Sequence, residues 1–185
     1  MDRGAQAYAR YCDGDDGGLA ELIRDYRDGL TLFLCSVTGD FSSAEEVMED
    51  VFFRLAVKKP KFKGRSSFKT WLYAIGRNAA LDYVRRRSRY AENPAEDYLN
   101  AVPCGEDPEQ AYLREETNRA LYAAIGRLKP DYRQALTLCY FEELDNAAVA
   151  AVMCKNKRQV ENLLYRAKAA LKQELEKEGI TREDG

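Results

Sequence analysis

The chain has 185 residues, with 29 Lys and Arg against 31 Asp and Glu, no His, five Cys and one Trp, for a formal net charge of −2. That length suits one domain or two small ones; with 45% apolar and 32% charged residues the chain can bury a core, yet no run approaches the roughly 18 apolar residues of a membrane span. The missing His removes the commonest general base and metal ligand, no GxSxG, Walker loop or GxGxxG is present, and Cys12, Cys35, Cys104, Cys139 and Cys154 are odd in number without a CxxC, so they read as reduced thiols and catalysis starts with little support.

The N-terminus, MDRGAQAYARYCDGDDGG, has acids where an export signal needs a basic start and an apolar stretch, so a cytoplasmic protein is expected. Residues 1–57 hold 5 basic and 12 acidic residues, net −7. Within them Leu19, Leu22, Ile23, Tyr26, Leu30, Phe33, Leu34 and Val37 recur at helical spacing until Gly39 and Asp40, which predicts a first helix. Ser43-Ala-Glu-Glu46 has capping-box spacing and predicts the start of a second. Its apolar face is Val47, Val51 and Leu55 with Phe52 beside them, and Glu45, Glu46, Glu49, Asp50 and Arg54 face outward up to Lys58-Lys59-Pro60. A basic loop, KKPKFKGRSS, leads to a third helix predicted from Ser66 or Ser67 to about Arg89, with Phe68, Trp71, Leu72, Ile75, Ala79 and Tyr83 on one stripe. Residues 58–89 hold 11 basic residues and one acid, Asp82, net +10. Such a block has the character of a polyanion-binding surface, because each neutralised phosphate releases a condensed counterion. The plainer alternative, a solvated helix face, usually intersperses both signs.

Residues 90–107 hold two Pro, a Gly and five acids with weak periodicity, and read as a flexible acidic linker. Asp107-Pro108-Glu-Gln110 then caps a helix with Pro at its first position, lined by Leu113, Thr117, Ala120, Leu121, Ala124 and Ile125 as far as Leu128. Lys129-Pro130 breaks it. Asp131 starts a short helix through Ala135, Leu138 and Cys139 to Phe141, Asp145 starts another through Val149 and Val152, and the last begins at the cap-like Asn156-Lys-Arg-Gln159 with Val160, Leu163, Leu164, Ala167, Leu171 and Leu175 inward. Two short helices, a tight turn at Met153-Cys154-Lys155 and a basic second helix are the parts of a helix-turn-helix. Lys157, Arg158, Gln159, Glu161, Asn162, Tyr165, Arg166 and Lys168 face outward on the last helix. Arg can pair with guanine, and Gln or Asn with adenine. An ordinary surface helix of a small bundle explains the same residues equally well. The fold class is all-α: two small helical domains, residues 1–89 and 108–185, joined by the linker 90–107.

Taken together, SSAEEVMEDVFFRLAVKKPKFKGRSSFKTWLYAIGRNAALDYVRRRSR, the acidic linker, and LYAAIGRLKPDYRQALTLCYFEELDNAAVAAVMCKNKRQVENLLYRAKAALK resemble a bacterial RNA polymerase sigma factor of the extracytoplasmic-function type, over about residues 19–175. The first segment is similar to the family's region two, where F-x-x-WLY-x-I-x-RN-x-x-LD-x-x-R-R-R is specific. The second is similar, more loosely, to region four.

The resemblance implies an alternative sigma factor that binds core RNA polymerase and directs promoter-specific initiation. The second helix would bind the clamp coiled coil of the largest polymerase subunit through Glu46, Glu49, Asp50, Phe53 and Arg54, with Glu49 standing where the family usually has Gln. The basic loop and third helix would recognise and melt the minus-ten element through Phe62, Lys63, Gly64, Arg65, Lys69, Arg77, Asn78, Arg85 and Arg86. Phe62 is the preferred stacking platform, since single strands are bound by a cationic groove with planar groups. Lys157, Arg158, Gln159 and Asn162 would read the minus-thirty-five duplex, and Arg166 would take a phosphate. Here Ala147-Ala148 replaces the usual acid of the first motif helix. The implied partners are core polymerase, through the clamp and the flap of the second-largest subunit, promoter DNA, and a candidate anti-sigma factor, with no membrane insertion and no small-molecule cofactor. The polymerase would perform the chemistry, so the chain itself is expected not to be an enzyme. The rival reading is a polymerase-independent helix-turn-helix repressor, which leaves the aromatic, basic loop unexplained.

Overall fold

Caps and apolar period decide where this chain coils, and in a computed structural model they give eight α-helices among the described residues, 2–90 and 115–177, with the side chains of Tyr90 and residues 115–120 left aside. The first, α1 (Arg3–Cys12), is opened by Asp2, whose carboxylate accepts from the Gly4 N–H at 3.0 Å. The sequence reading does not anticipate it. Its buried face is Gly4, Ala7, Tyr8 and Tyr11, a set with little apolar signal in a ten-residue window.

Helix α2 (Asp16–Thr38) follows an Asp15 cap and stops at Gly39, whose φ of 89° is a left-handed conformation that glycine adopts without strain. It is the centre of the first unit, packed by α1, α3 (Phe41–Lys58) and α4 (Phe68–Tyr90). Leu22, Leu30, Phe33 and Leu34 of α2 meet Val51 and Leu55 of α3 and Phe68 and Leu72 of α4 with almost no exposure. Each such side chain contributes about 1.5–3 kcal/mol through burial.

The expected capping box at Ser43–Glu46 does not form. Helix α3 starts three residues earlier because Asp40 is the better cap: extended at φ −143°, it accepts from the Ser43 N–H at 2.8 Å and from the Ser43 hydroxyl at 2.8 Å. Arg87 from the far end of α4 pairs with the same carboxylate at 2.8 Å. Glu46 is instead released outward, where it accepts from the Tyr83 hydroxyl at 3.0 Å. At the other end Lys59, at φ 40°, closes α3, and Ser67 opens α4 by accepting from the Thr70 N–H at 3.1 Å.

The second unit comprises α5 (Glu115–Arg127), α6 (Pro130–Leu136), α7 (Asn146–Met153) and α8 (Lys157–Lys177). Pro130 sits at the first position of α6, where its missing N–H costs nothing. The run predicted from Asp131 to Phe141 is one continuous element, but its last stretch, Thr137–Phe141, is a π-helical turn in which the Glu142 N–H donates to the Thr137 carbonyl at 3.0 Å. Asp145 caps α7 by accepting from Ala148 at 2.7 Å. Tyr90, the first residue of the predicted linker, is the last of α4, and the rest of that linker, 91–107, and the cap at Asp107–Gln110 lie outside the described residues.

The two units touch. Helix α7 lies against α4, and α6 with its π-turn lies against α2. The buried apolar cluster therefore runs without a break from α1 to α8.

Candidate polymerase and nucleic-acid surfaces

The outer face of α3 is built by elimination: with Val47, Val51, Phe52 and Leu55 turned inward, Glu46, Glu49, Asp50 and Phe53 are left exposed and Arg54 half-buried. Asp50 and Arg54, one turn apart, pair at 2.8 Å, a contact worth about 0.5 kcal/mol on an exposed helix. Phe53 keeps 64% of its surface exposed, and Val57, four residues on, keeps 63%. Sequence reasoning names Phe53 but passes over Val57. Its signal is the i, i+4 apolar pair standing off the buried stripe. The face is thus an apolar ridge beside an acidic row.

The basic loop presents Lys61, Lys63, Gly64 and Arg65 to solvent, with Gly64 at φ 66°. Phe62 does not stand free as the stacking platform expected of it. It is half-buried and joins an aromatic cluster, its ring 5.2 Å from Trp71 and 5.8 Å from Phe68, with Tyr8 5.4 Å from Phe68 and 5.5 Å from Trp71. Phe62 therefore forms the loop-side wall of that cluster. On α4, Asn78, Arg85 and Arg86 are exposed, Arg85 pairing with Asp82 at 3.3 Å.

Lys69 and Arg77, expected to reach DNA, are turned toward the second unit. Arg77 is buried and donates from Nε to Gln134 Oε1 at 2.8 Å. Lys69 Nζ reaches the Glu142 carboxylate at 2.9 Å and donates to the Glu142 carbonyl at 2.8 Å. Glu142 itself is buried, and it also accepts from the Tyr73 hydroxyl at 2.6 Å. Burial, with the Glu142 charge added, pushes the Tyr73 phenol far above its usual range, so the hydroxyl stays protonated as the donor. The approach is close: a Cβ on Gly29 would lie 2.7 Å from the Tyr73 hydroxyl and 2.8 Å from both Glu142 carboxylate oxygens, so any larger residue there would push this pair aside. No local pattern marks Glu142 or Gln134, because their partners lie 69 and 57 residues away.

The helix-turn-helix expected at the C-terminus is present in its parts. Cys154 makes the turn in the left-handed region at φ 53°, and Lys155 N–H closes it on the Ala150 carbonyl at 2.9 Å. Asn156 and Gln159 form a reciprocal capping box, each side-chain oxygen accepting from the other's N–H at 2.8 Å. With Val160, Leu164 and Ala167 buried, Lys157, Arg158, Gln159, Asn162 and Arg166 are all exposed on α8, together with Tyr165 at 78%. The box occupies the Gln159 carbonyl, leaving its amide as the group free to read a base. The structure thus gathers the candidate residues into three surfaces: the α3 face, the loop with the outer side of α4, and the start of α8.

Among the described residues no helix is long and apolar enough to cross a membrane. Comparison with known proteins matches residues 22–90 to Sigma-70 region 2 and residues 118–171 to Sigma-70, region 4. The RNA polymerase sigma-H factor of Pseudomonas aeruginosa is 30% identical over 179 residues, covering 92% of this chain and 93% of that protein. The ECF RNA polymerase sigma factor SigM of Bacillus subtilis is 28% identical over 152 residues, 82% of this chain and 91% of its own. Among solved structures, the sigma factor RpoE of Bartonella quintana in complex with the anti-sigma factor NepR shares the fold at a TM-score of 0.70 and 21% identity, over 88% of this chain and 98% of that one. CnrH in complex with the cytosolic domain of CnrY does so at 0.64 and 22%, over 95% and 97%.

Proposed function

The chain belongs to the sigma-70 family of RNA polymerase sigma factors, of the extracytoplasmic-function type, and from that premise we propose how its surfaces divide the work of directing transcription initiation. Residues 1–89 act as the polymerase-docking and minus-ten unit, 90–107 as linker, and 108–185 as the minus-thirty-five unit. The observation that carries this division is that each matched segment bears its own exposed surface of suitable chemistry. In the first segment that surface is the acidic and apolar face of α3 beside a cationic loop, and in the second it is the polar, cationic start of α8.

Glu46, Glu49, Asp50, Phe53, Arg54 and Val57 dock on the clamp of core polymerase, with the Phe53–Val57 ridge supplying buried area and the carboxylates orientation. Lys61, Lys63, Arg65, Asn78, Arg85 and Arg86 follow the melted strand. Lys69 and Arg77 join them once the second unit moves away from α4. Lys157, Arg158, Asn162 and Arg166 engage duplex DNA upstream, where the helix N-terminus also favours a phosphate. Two modest sites on one tether add through effective concentration. The protein works in the cytoplasm, leaves the chemistry to the polymerase, and takes an anti-sigma factor as its antagonist. A polymerase-independent repressor would leave the α3 face without a role.

The test is co-elution of the full chain with bacterial core RNA polymerase, using wild type and variants with Glu46, Glu49 and Asp50 each changed to Lys. Co-elution by wild type and its loss on charge reversal is the expected result. Failure of the wild type to co-elute, with the core shown competent by another sigma factor, overturns the docking assignment.

A further inference from the structure

Helix α1 lies before the segment matched to region 2, which begins at residue 22, and the docking and DNA assignments leave it without a task. It packs chiefly on α2, where Arg3 and Arg10 pair with Glu21, and it also reaches the two ends of the basic loop. At the entry, the Tyr11 hydroxyl donates to the Ala56 carbonyl at 2.8 Å in the last turn of α3, and the Tyr8 hydroxyl donates to the Pro60 carbonyl at 2.7 Å. Lys59 Nζ donates back to the Tyr11 carbonyl at 3.1 Å and lies 4.3 Å from the centre of the Tyr11 ring. At the exit, the second carboxylate oxygen of Asp2 accepts from the N–H of Phe68, the first residue of α4, while the first oxygen caps α1 itself. Between these points Tyr8 also contributes its ring to the cluster that holds Phe62.

We propose that α1 is a clamp that sets the conformation of the basic loop for the unpaired strand, with Tyr8, Tyr11 and Asp2 as positioning residues that do not touch DNA. The reasoning is entropic. Residues 61–67 form no regular element, and Lys61, Lys63 and Arg65 are exposed, their side chains making no ion pair or hydrogen bond among the described residues. Ordering such a segment at the moment of binding costs backbone freedom at every residue fixed. Holding both ends on a rigid helix removes part of that cost beforehand, as preorganisation does in any binding site. The two hydroxyls are suited to the task, since each satisfies a carbonyl that the ends of α3 and the loop would otherwise leave unpaired. The role assigned to the loop rests on the reading given under Proposed function.

The test uses the full chain with Tyr8→Phe and Tyr11→Phe combined, which keeps both rings and removes only the hydroxyls. Thr31→Val serves as a control that removes a buried hydroxyl away from the loop, because the Thr31 hydroxyl bonds within α2, to the Arg27 carbonyl at 2.8 Å. Two readouts are taken: amide hydrogen exchange of residues 59–67, and affinity for a random-sequence single-stranded oligodeoxynucleotide pool in complex with core polymerase. The clamp predicts faster exchange in the loop and an affinity loss of about tenfold in the double variant alone. The slope of log affinity against log salt should stay unchanged, because every cation is retained. Equal exchange in wild type and double variant, or an equal affinity loss in Thr31→Val, overturns the clamp. If the wild-type complex does not bind the pool, the DNA role of the loop fails, and loop exchange by itself still decides whether α1 holds it.

Discussion

Replacing Glu142 with Ala separates the two units if the contacts described here hold them together. The variant removes the acceptor of the Tyr73 hydroxyl, leaving a buried phenol without its partner, at a cost of about 1–3 kcal/mol. It also removes the ion pair with Lys69. The Lys69 side chain is 30% exposed, so screening discounts the pair to about 1 kcal/mol, well below the value of a fully buried one. Lys69 keeps its bond to the carbonyl of residue 142. The sum, about 2–4 kcal/mol, raises the opening constant by roughly thirty- to several-hundredfold, since 1.4 kcal/mol is a factor of ten. Small-angle X-ray scattering reads this as a larger radius of gyration with each unit still folded by circular dichroism. Tyr73→Phe, which removes one hydrogen bond and leaves the ion pair, falls between wild type and the Ala variant. Scattering from Glu142→Ala that superimposes on wild type refutes the argument, as does wild-type scattering already matching separated units.

Two other outcomes are expected. Burial alone would raise the Asp40 carboxyl, but the Ser43 N–H and hydroxyl and the Arg87 guanidinium hold it below its usual range. Its stabilisation is therefore complete above the ordinary carboxylate pKa of about 3.9 and is lost as pH falls through the depressed value. Asn at this position still caps α3, so urea unfolding of Asp40→Asn should show a deficit of about 0.5–1 kcal/mol near neutral pH that closes in strong acid. A deficit independent of pH counts against the ionic contribution. At the helix-turn-helix, exposed Cys154 holds φ at 53°, which costs a side-chain-bearing residue about 1–2 kcal/mol. Glycine removes that strain and gives back about 0.5–1 kcal/mol in chain entropy, so Cys154→Gly should raise the melting temperature by a few degrees, and a lower value refutes the strain.

Legibility followed the range of the interactions. Helix α2, the start of α4 and the Asn156–Gln159 cap were readable because period and capping are settled within a few residues. The charge block of residues 58–89 and the outward row Glu46, Glu49, Asp50 were readable for the same reason: they need only composition and helical spacing. The Ser43 box failed where a second acceptor competed, and Asp40 won with support from Arg87, 47 residues away. Helix α1 escaped because its buried face is made of tyrosines and small residues, whose worth lies in hydroxyls reaching Ala56 and Pro60.

The sequence by itself thus determined an all-helical chain, the place of its cationic block, and the three segments that carry exposed surfaces. Only the tertiary structure decided which of those cations are available. Lys69 and Arg77 look like their neighbours along the chain, yet Glu142 and Gln134 claim them from another unit. A side chain's partner across the fold is set by how helices pack, and helix period carries no information about that.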